Sequence, residues 1–244
     1  MSILAIDTAT QVSSVAVADE NRLLAELTMQ ARLTHSETLM PHIQQVLRMA
    51  SMPKEQLDGI AVSIGPGSFT GLRIGLAAAK AMAYALDLPI VGISTLKALA
   101  CHYPVSGVRI VCMLDAQKGN AYVESYRWEA GRLVTLQPVR VMNIVEAVES
   151  CGRAAEPVVL LGDAVQKKVR GKIELPQGVT VAPPHLLMPR AACTAMLGVA
   201  ELAAGHRDPV MSMEPIYIRR SEAEVLWEKR HPEAVRKERL AEEM

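Results

Sequence analysis

The first hydrophobic run, Ile3-Leu4-Ala5-Ile6, stops at Asp7. Polar residues from Thr8 to Ser14 separate it from Val15-Ala16-Val17-Ala18. Asp19-Glu20-Asn21-Arg22 then separates that run from Leu23-Leu24-Ala25-Glu26-Leu27. Short apolar runs broken by turn formers predict a three-strand meander. Between positions 35 and 50, apolar residues at Leu39, Ile43, Val46, Leu47 and Ala50 recur at helical steps, predicting an amphipathic helix. Ile60-Ala61-Val62-Ser63-Ile64 predicts a buried strand, positions 68–85 an alanine-rich helix, and Ile90-Val91-Gly92-Ile93 a further strand.

The pattern then starts again. Val108 to Leu114 is an apolar run ending at Asp115, and a polar turn leads to Ala121-Tyr122-Val123-Glu124-Ser125-Tyr126. Val15 lies eight residues after Asp7, and Val123 eight after Asp115. A third strand is predicted at Leu133-Val134-Thr135-Leu136, a helix near 143–151, a strand at Val158–Leu161 ahead of Gly162-Asp163, and a helix near 190–204. A repeated order of elements over about 100 residues predicts a duplicated α/β fold. Two such halves facing each other describe the actin-like, Hsp70-like (ASKHA) superfamily, a duplicated ribonuclease-H-like fold whose Asp-bearing hairpins flank a nucleotide cleft. The predicted division is 1–103, 104–222 and a charged tail, 223–244. From Arg219 to Met244 the chain carries seven basic and seven acidic residues and little apolar content, with Pro232 interrupting any helix.

Composition narrows the function classes. Half of the 244 residues are hydrophobic and only 3% aromatic, so the core is aliphatic. Lys plus Arg and Asp plus Glu both total 26. A protein that grips tRNA alone carries a basic surplus more often, because phosphate neutralisation dominates affinity. Cys101, Cys112, Cys151 and Cys193 form no C-x-x-C and read as buried small hydrophobes in a reducing compartment. The N-terminus lacks the basic region of a signal peptide. No apolar run is read as approaching the ~20 residues of a membrane span. The expectation is a cytoplasmic protein without a membrane partner.

The most informative segment is Ile64-Gly65-Pro66-Gly67-Ser68-Phe69-Thr70-Gly71-Leu72-Arg73-Ile74-Gly75. Gly65-Pro66-Gly67 makes a tight exit from a buried strand, and Ser68 is placed to cap a helix. Three readings stand side by side. A Gly-rich loop entering a helix can cradle phosphate, although the lysine of G-x-x-x-x-G-K-[ST] is missing. It can be plain structural punctuation. It can also be a contact surface: Gly71, Gly75, Ala79 and Ala83 share one helix face. Each glycine costs about 0.8–1 kcal/mol inside a helix, so a close-approaching backbone is implied. The spacing does not say whether that backbone is the chain's own or a partner's.

Ile6-Asp7-Thr8-Ala9-Thr10, the segment 65–75, Gly92-Ile93-Ser94-Thr95-Leu96, Leu114-Asp115-Ala116-Gln117-Lys118-Gly119 and Pro215-Ile216-Tyr217-Ile218-Arg219-Arg220 together resemble the TsaB (YeaZ) family. The resemblance covers residues 1 to about 228 and is tightest at 65–75. It implies a non-catalytic, actin-like scaffold subunit of the machinery that makes N6-threonylcarbamoyladenosine (t6A) at position 37 of tRNA. The implied partners are a TsaD-like catalytic paralogue, a TsaE-like ATPase, a second copy when the chain is alone, and tRNA only through the complex. It also implies that the helix starting in the Gly-Pro-Gly motif is the docking element, through Gly67, Ser68, Phe69, Thr70, Gly71, Leu72, Arg73, Gly75 and Ala79. A bulky residue at Gly71 or Gly75 is then expected to abolish association while leaving the fold intact.

The catalytic paralogue carries a His-x-x-x-His metal pair on the helix after the corresponding strand. Aligned on Gly92-Ile93 and Leu96, those positions are Thr95 and Leu99 here, and leucine cannot ligate. His102 is out of phase, His35 and His42 are two turns apart, and His185, His206 and His231 stand alone. No H-E-x-x-H or G-x-S-x-G occurs. No metal and no cofactor of its own is expected, with ATP or ADP entering only in the complex. A vestigial nucleotide cleft is read at Asp7, Thr8, Thr10, Asp115, Gly162 and Asp163, where the aspartates could equally just close turns. The alternatives are an actin-like ATPase or small-molecule kinase, then a metal-dependent endopeptidase.

Overall fold

In the computed structural model, which describes residues 1–30 and 34–218, the opening runs become β1 (Ile3–Asp7), β2 (Ser13–Ala18) and β3 (Leu23–Met29). Every residue of β1 and β2 is buried, so both faces of these strands need covering. The strand period of two divides the work. Leu4, Ile6, Val15 and Val17 face the core shared with α1 (His35–Met49) and α2 (Phe69–Leu86). Ile3, Ala5, Ala16 and Ala18 face the other way, onto α5 (Ala191–Ala203). Two parallel strands, β4 (Gly59–Gly65) and β5 (Ile90–Ser94), complete the sheet in the order β3-β2-β1-β4-β5.

A second sheet repeats the plan. β6 (Arg109–Asp115), β7 (Asn120–Glu129) and β8 (Arg132–Asn143) form the meander, and β9 (Val158–Leu161) and β10 (Val179–Val181) the parallel extension. Its order, β10-β9-β6-β7-β8, is the first sheet's order read from the other edge. The duplicated α/β architecture is therefore present, with α4 (Ile144–Cys151) packed on β7 and β8 and α3 (Thr95–Cys101) on β6. The equal spacing of Val15 and Val123 from their aspartates is not a structural equivalence. Ile6 pairs with Val15 but Leu114 with Tyr122, so the second hairpin is one residue shorter.

Space and sequence part company near the C-terminus. α5, which a division at residue 104 assigns to the second half, packs on β1, β2, β4 and β5 of the first. Its small residues allow this: Gly198 lies against Ala61 and Ile3. The strap after it stays there, with the Asp208 N–H donating to the Ile90 carbonyl at 2.9 Å and the Ile216 N–H to the Ile64 carbonyl at 2.7 Å. Pro184–Ala203 is, among the described residues, one stretch long and apolar enough to cross a membrane, contrary to the sequence reading. Half of it is buried, and Ala191, Thr194, Ala195, Gly198, Val199 and Leu202 form its inward face, as in a core helix. Also absent from the sequence reading are α3, the extension of β8 to Asn143, and a π turn at Val165–Val169. The tail 223–244 lies outside the described residues.

α2 starts as expected, with Ser68 Oγ accepting from the Gly71 N–H at 3.3 Å. Gly65 turns the chain into it at φ 109°, a left-handed conformation suited to glycine. The glycine stripe, however, is spent inside the molecule. A Cβ on Gly71 would strike the Thr8 carbonyl, and one on Gly75 the Thr8 hydroxyl. That hydroxyl donates to the Gly71 carbonyl at 2.8 Å, pinning α2 to the end of β1. Gly71, Leu72, Gly75 and Ala79 are all buried against the chain's own strands and offer no surface to a partner. Bulky substitutions at the two glycines are thus expected to disturb the fold itself, which corrects the expectation drawn from the resemblance.

Candidate functional site

The ends of β1 and β6 and the start of α2 converge on a cleft of about 600 Å³ between the two halves. Thr10, Gly67, Ser68, Phe69, Thr70, Leu72, Asp115 and Asp163 line it, as do His35, Tyr122, Lys167 and Tyr217. Asp7 and Thr8 are not in its wall. Asp7 is 1% exposed, accepts from the Ala9 N–H at 3.1 Å and is bonded by the Ser63 hydroxyl. Burial pushes its carboxyl above the ordinary value, against the pull of the Ser63 and Ala9 donors.

The second half treats its aspartates differently. Asp115 Oδ1 accepts from the Lys168 ammonium and from the Gln117 N–H, at 2.8 and 2.9 Å. Asp163 Oδ1 accepts from the Asp115 N–H at 2.9 Å, and its Oδ2 from the Lys167 ammonium at 2.8 Å. Gly162 sits at φ 118° with no room for a side chain beside the Met113 backbone, which holds Asp163 close to β6. The π turn carries both lysines, Lys167 paired with Asp163 and Lys168 with Asp115, and such single-turn insertions recur at functional sites.

A magnesium-bound nucleotide requires free carboxylate oxygens and a cradle for phosphate. Here the β1 carboxyl is buried and satisfied, and two lysines hold the other two carboxylates, so the residues present do not fit that group. No group of three or more His, Cys, Asp or Glu side chains converges as a metal site among the described residues. Thr95 and Leu99 are fully buried, Leu99 within the second core.

Two rings of the cleft wall, Phe69 and Tyr217, form a cluster with Arg73 that spacing did not indicate. The Phe69 and Tyr217 rings lie 5.0 Å apart, and the Arg73 guanidinium carbon stands 3.8 Å from the Phe69 centroid. Arg73 Nε also donates to the Tyr217 hydroxyl at 2.9 Å. This Arg–aromatic stack joins the strap to the first turn of α2. Tyr217 falls in the Pro215–Arg220 motif, which was a usable signal. Lys167 follows Asp163 at i, i+4, a weaker one. Nothing in the sequence aims Lys168 at Asp115.

Beyond the stack, the outer side of α2 is open. Ala77, Ala81, Tyr84 and Ala85 are exposed, Tyr84 to 75%. Across 18 residues the helix carries two charged side chains, Arg73 and Lys80, and Lys80 is tied to the Met211 and Met213 carbonyls at 2.8 and 3.0 Å. Met211, 76% exposed, borders the shallow groove between α2 and the strap.

Residues 28–227 match the profile of the TsaD family, described as tRNA N6-adenosine threonylcarbamoyltransferase. The tRNA threonylcarbamoyladenosine biosynthesis protein TsaB of Bacillus subtilis is 32% identical over 93% of this chain and 98% of its own. The TsaB protein of Escherichia coli is 28% identical over 94% and 98%. Among solved structures, YeaZ from Pseudomonas aeruginosa superposes with a TM-score of 0.74 at 26% identity, covering 89% of this chain and 99% of that one. The family profile, the relatives matched over nearly their whole length and the fold shared with YeaZ agree: the chain belongs to the TsaB (YeaZ) family.

Proposed function

We propose that this chain works in the biosynthesis of threonylcarbamoyladenosine on tRNA, as a non-catalytic subunit that docks a TsaD-like catalytic paralogue. The observation that carries the docking is the outer face of α2. A solvent-facing helix ordinarily shows charged side chains outward, whereas this one shows Ala77, Ala81, Tyr84 and Ala85. The flank of that face, Ser68, Thr70 and Arg73, is exposed and belongs to the segment tightest in its resemblance to the family. Gly71 and Gly75 of that segment support docking from inside, by holding α2 against the end of β1, with Leu72 and, beyond the segment, Ala79 buried beside them.

The non-catalytic part of the reading draws on the cleft. Ser63, Lys167 and Lys168 engage the carboxylates of Asp7, Asp163 and Asp115, which disfavours their recruitment to a metal or as a general base. ATP or ADP then belongs to the assembled complex with its TsaE-like ATPase, tRNA is met only there, and the work is cytoplasmic. In the absence of the paralogue, the same α2 face pairs with a second copy of the chain.

The test is a reconstituted threonylcarbamoylation reaction from which this chain is omitted and then restored. Modified tRNA should form at least about tenfold faster when it is restored, equivalent to ~1.4 kcal/mol of transition-state stabilisation. Equal rates with and without it would end the proposal. Capture of the paralogue by the wild-type chain, and not by one with acidic residues at Ala77 and Ala81, separates docking from any other role.

A further inference from the structure

The π turn after β9 carries a concentration of positive charge that docking through α2 leaves unused. Lys167, Lys168, Arg170 and Lys172 fall within six residues, and Glu174 is the one acid between Ala164 and Leu175. Val165 and Val169 anchor the turn, fully buried in the second core. Arg170 and Lys172 are exposed. The two ion pairs are layered, with the carboxylates inside. The side chains of Lys167 and Lys168 are 31% and 33% exposed, against 7% and 11% for Asp163 and Asp115. Solvent therefore meets ammonium groups in front of carboxylates.

The cations are also held in place. Their ion pairs fix Lys167 and Lys168, and Lys172 Nζ donates to the Lys167 carbonyl at 2.6 Å. Side chains already ordered lose less entropy when a ligand arrives. The Arg170 guanidinium has no hydrogen-bond or ion-pair partner among the described residues. The adjoining turn between β6 and β7 adds Lys118, exposed three residues beyond the aspartate that holds Lys168.

The make-up of this surface selects the kind of partner. Protein interfaces centre on aromatic or aliphatic anchors driven into pockets. Between Val145 and Met196, no exposed large hydrophobic side chain is found among the described residues. A surface of cations without such an anchor suits a polyanion bound through its charge, and a phosphodiester backbone is that ligand. The planar fork of Arg170 matches two phosphate oxygens, while the lysines act as point charges. With 26 basic and 26 acidic residues in the whole chain, the turn is an auxiliary grip and not a stand-alone tRNA site.

We propose that the turn Lys167–Lys172 contacts the phosphate backbone of tRNA within the assembled complex. The inference rests on the function proposed above and gives this chain a direct part in holding the substrate. Contacts to phosphate position a nucleic acid without reading its sequence, so the turn serves every tRNA alike.

The test measures binding of fluorescein-labelled, unmodified tRNA to the full-length chain in complex with its catalytic paralogue, by anisotropy from about 50 to about 200 mM salt. Arg170→Glu with Lys172→Glu should weaken binding at least about tenfold and flatten the slope of log affinity against log salt by roughly 1.5–2, since each phosphate contact contributes about 0.7–0.9. Capture of the paralogue by the double variant should be unchanged. A second measurement needs no variant: tRNA added to the wild-type complex should protect Lys172 from acetylation, and should leave the exposed Lys54 of the first half reactive. Equal affinity and slope for the double variant, its failure to capture the paralogue, or protection of Lys172 by the paralogue without tRNA each overturns the proposal, the last two by giving the surface to a protein. Failure of the wild-type chain to capture the paralogue removes the proposed function and this contact with it, whereas unchanged tRNA affinity with capture intact removes this contact alone.

Discussion

The two sides of α2 obey opposite rules. On the inner side, Gly71 and Gly75 are small because the Thr8 backbone and hydroxyl occupy the space a side chain would need, and Ala79 and Ala83 continue the buried face. On the outer side, Ala77, Ala81 and Ala85 are equally small with nothing over them among the described residues. The inner residues make a joint within the molecule, and the outer ones leave an unusually smooth, uncharged surface. A stripe of small residues therefore has two meanings on a single helix. Only the neighbour, and not the residue type, distinguishes them.

Substitutions should separate the two sides sharply. The largest effect is expected from Gly75→Val, which forces side-chain atoms into the Thr8 hydroxyl. Overpacking of this kind costs about 1–3 kcal/mol and sometimes more, or roughly 2–12 °C in melting temperature. A Gly75→Val chain that melts within a degree of the wild type removes the internal account. Next, Ala77→Glu with Ala81→Glu should leave the melting temperature nearly unchanged, since exposed changes stay within ~0.5 kcal/mol. The same pair should weaken capture of the catalytic paralogue by at least about tenfold, measured by calorimetry or co-purification. Undiminished capture moves the docking surface elsewhere.

Smaller changes sharpen the picture at the cleft end of the helix. Phe69→Ala removes the ring under Arg73 and beside Tyr217, and should cost about 1 kcal/mol in denaturant unfolding. Asp7→Asn probes the buried carboxyl through pH. The folded-state value of Asp7 is raised, so its stabilising contribution is complete below the ordinary value of 3.8 and is lost as pH rises through the folded value. The asparagine variant cannot ionise, so its melting temperature should gain on the wild type from pH 4 to pH 8. A parallel pair of pH curves would mean that Asp7 is not desolvated. Smallest of all is Lys168→Met, which frees one partly exposed carboxylate of Asp115. It should change stability by less than about 1 kcal/mol, and, with Asp7 still buried, it should not create magnesium-nucleotide binding.

Much of the fold was legible from pattern alone. β1, β2, α1, α2 and the restart at β6 follow from runs of alternating or helical period, because local periodicity and burial reinforce each other there. The short α3 carried no period long enough to read, and β10 and the π turn at Val165–Val169 depend on packing against β9 and β6. At the cleft, Asp115, Asp163 and the α2 entry were readable as motif positions. The lysines that neutralise the aspartates were not, because the Lys168–Asp115 pair joins residues 53 positions apart.

By itself the sequence determined the duplicated α/β plan, the family, and the unsuitability of Thr95 and Leu99 as metal ligands. These depend on residue identity and local period, which the chain carries wherever it folds. The tertiary structure alone decided that α5 returns to the first half, that the glycine stripe faces inward, and that Lys168 reaches Asp115. Each of those is a distance between residues far apart in the chain, set by which surfaces compete to be buried together.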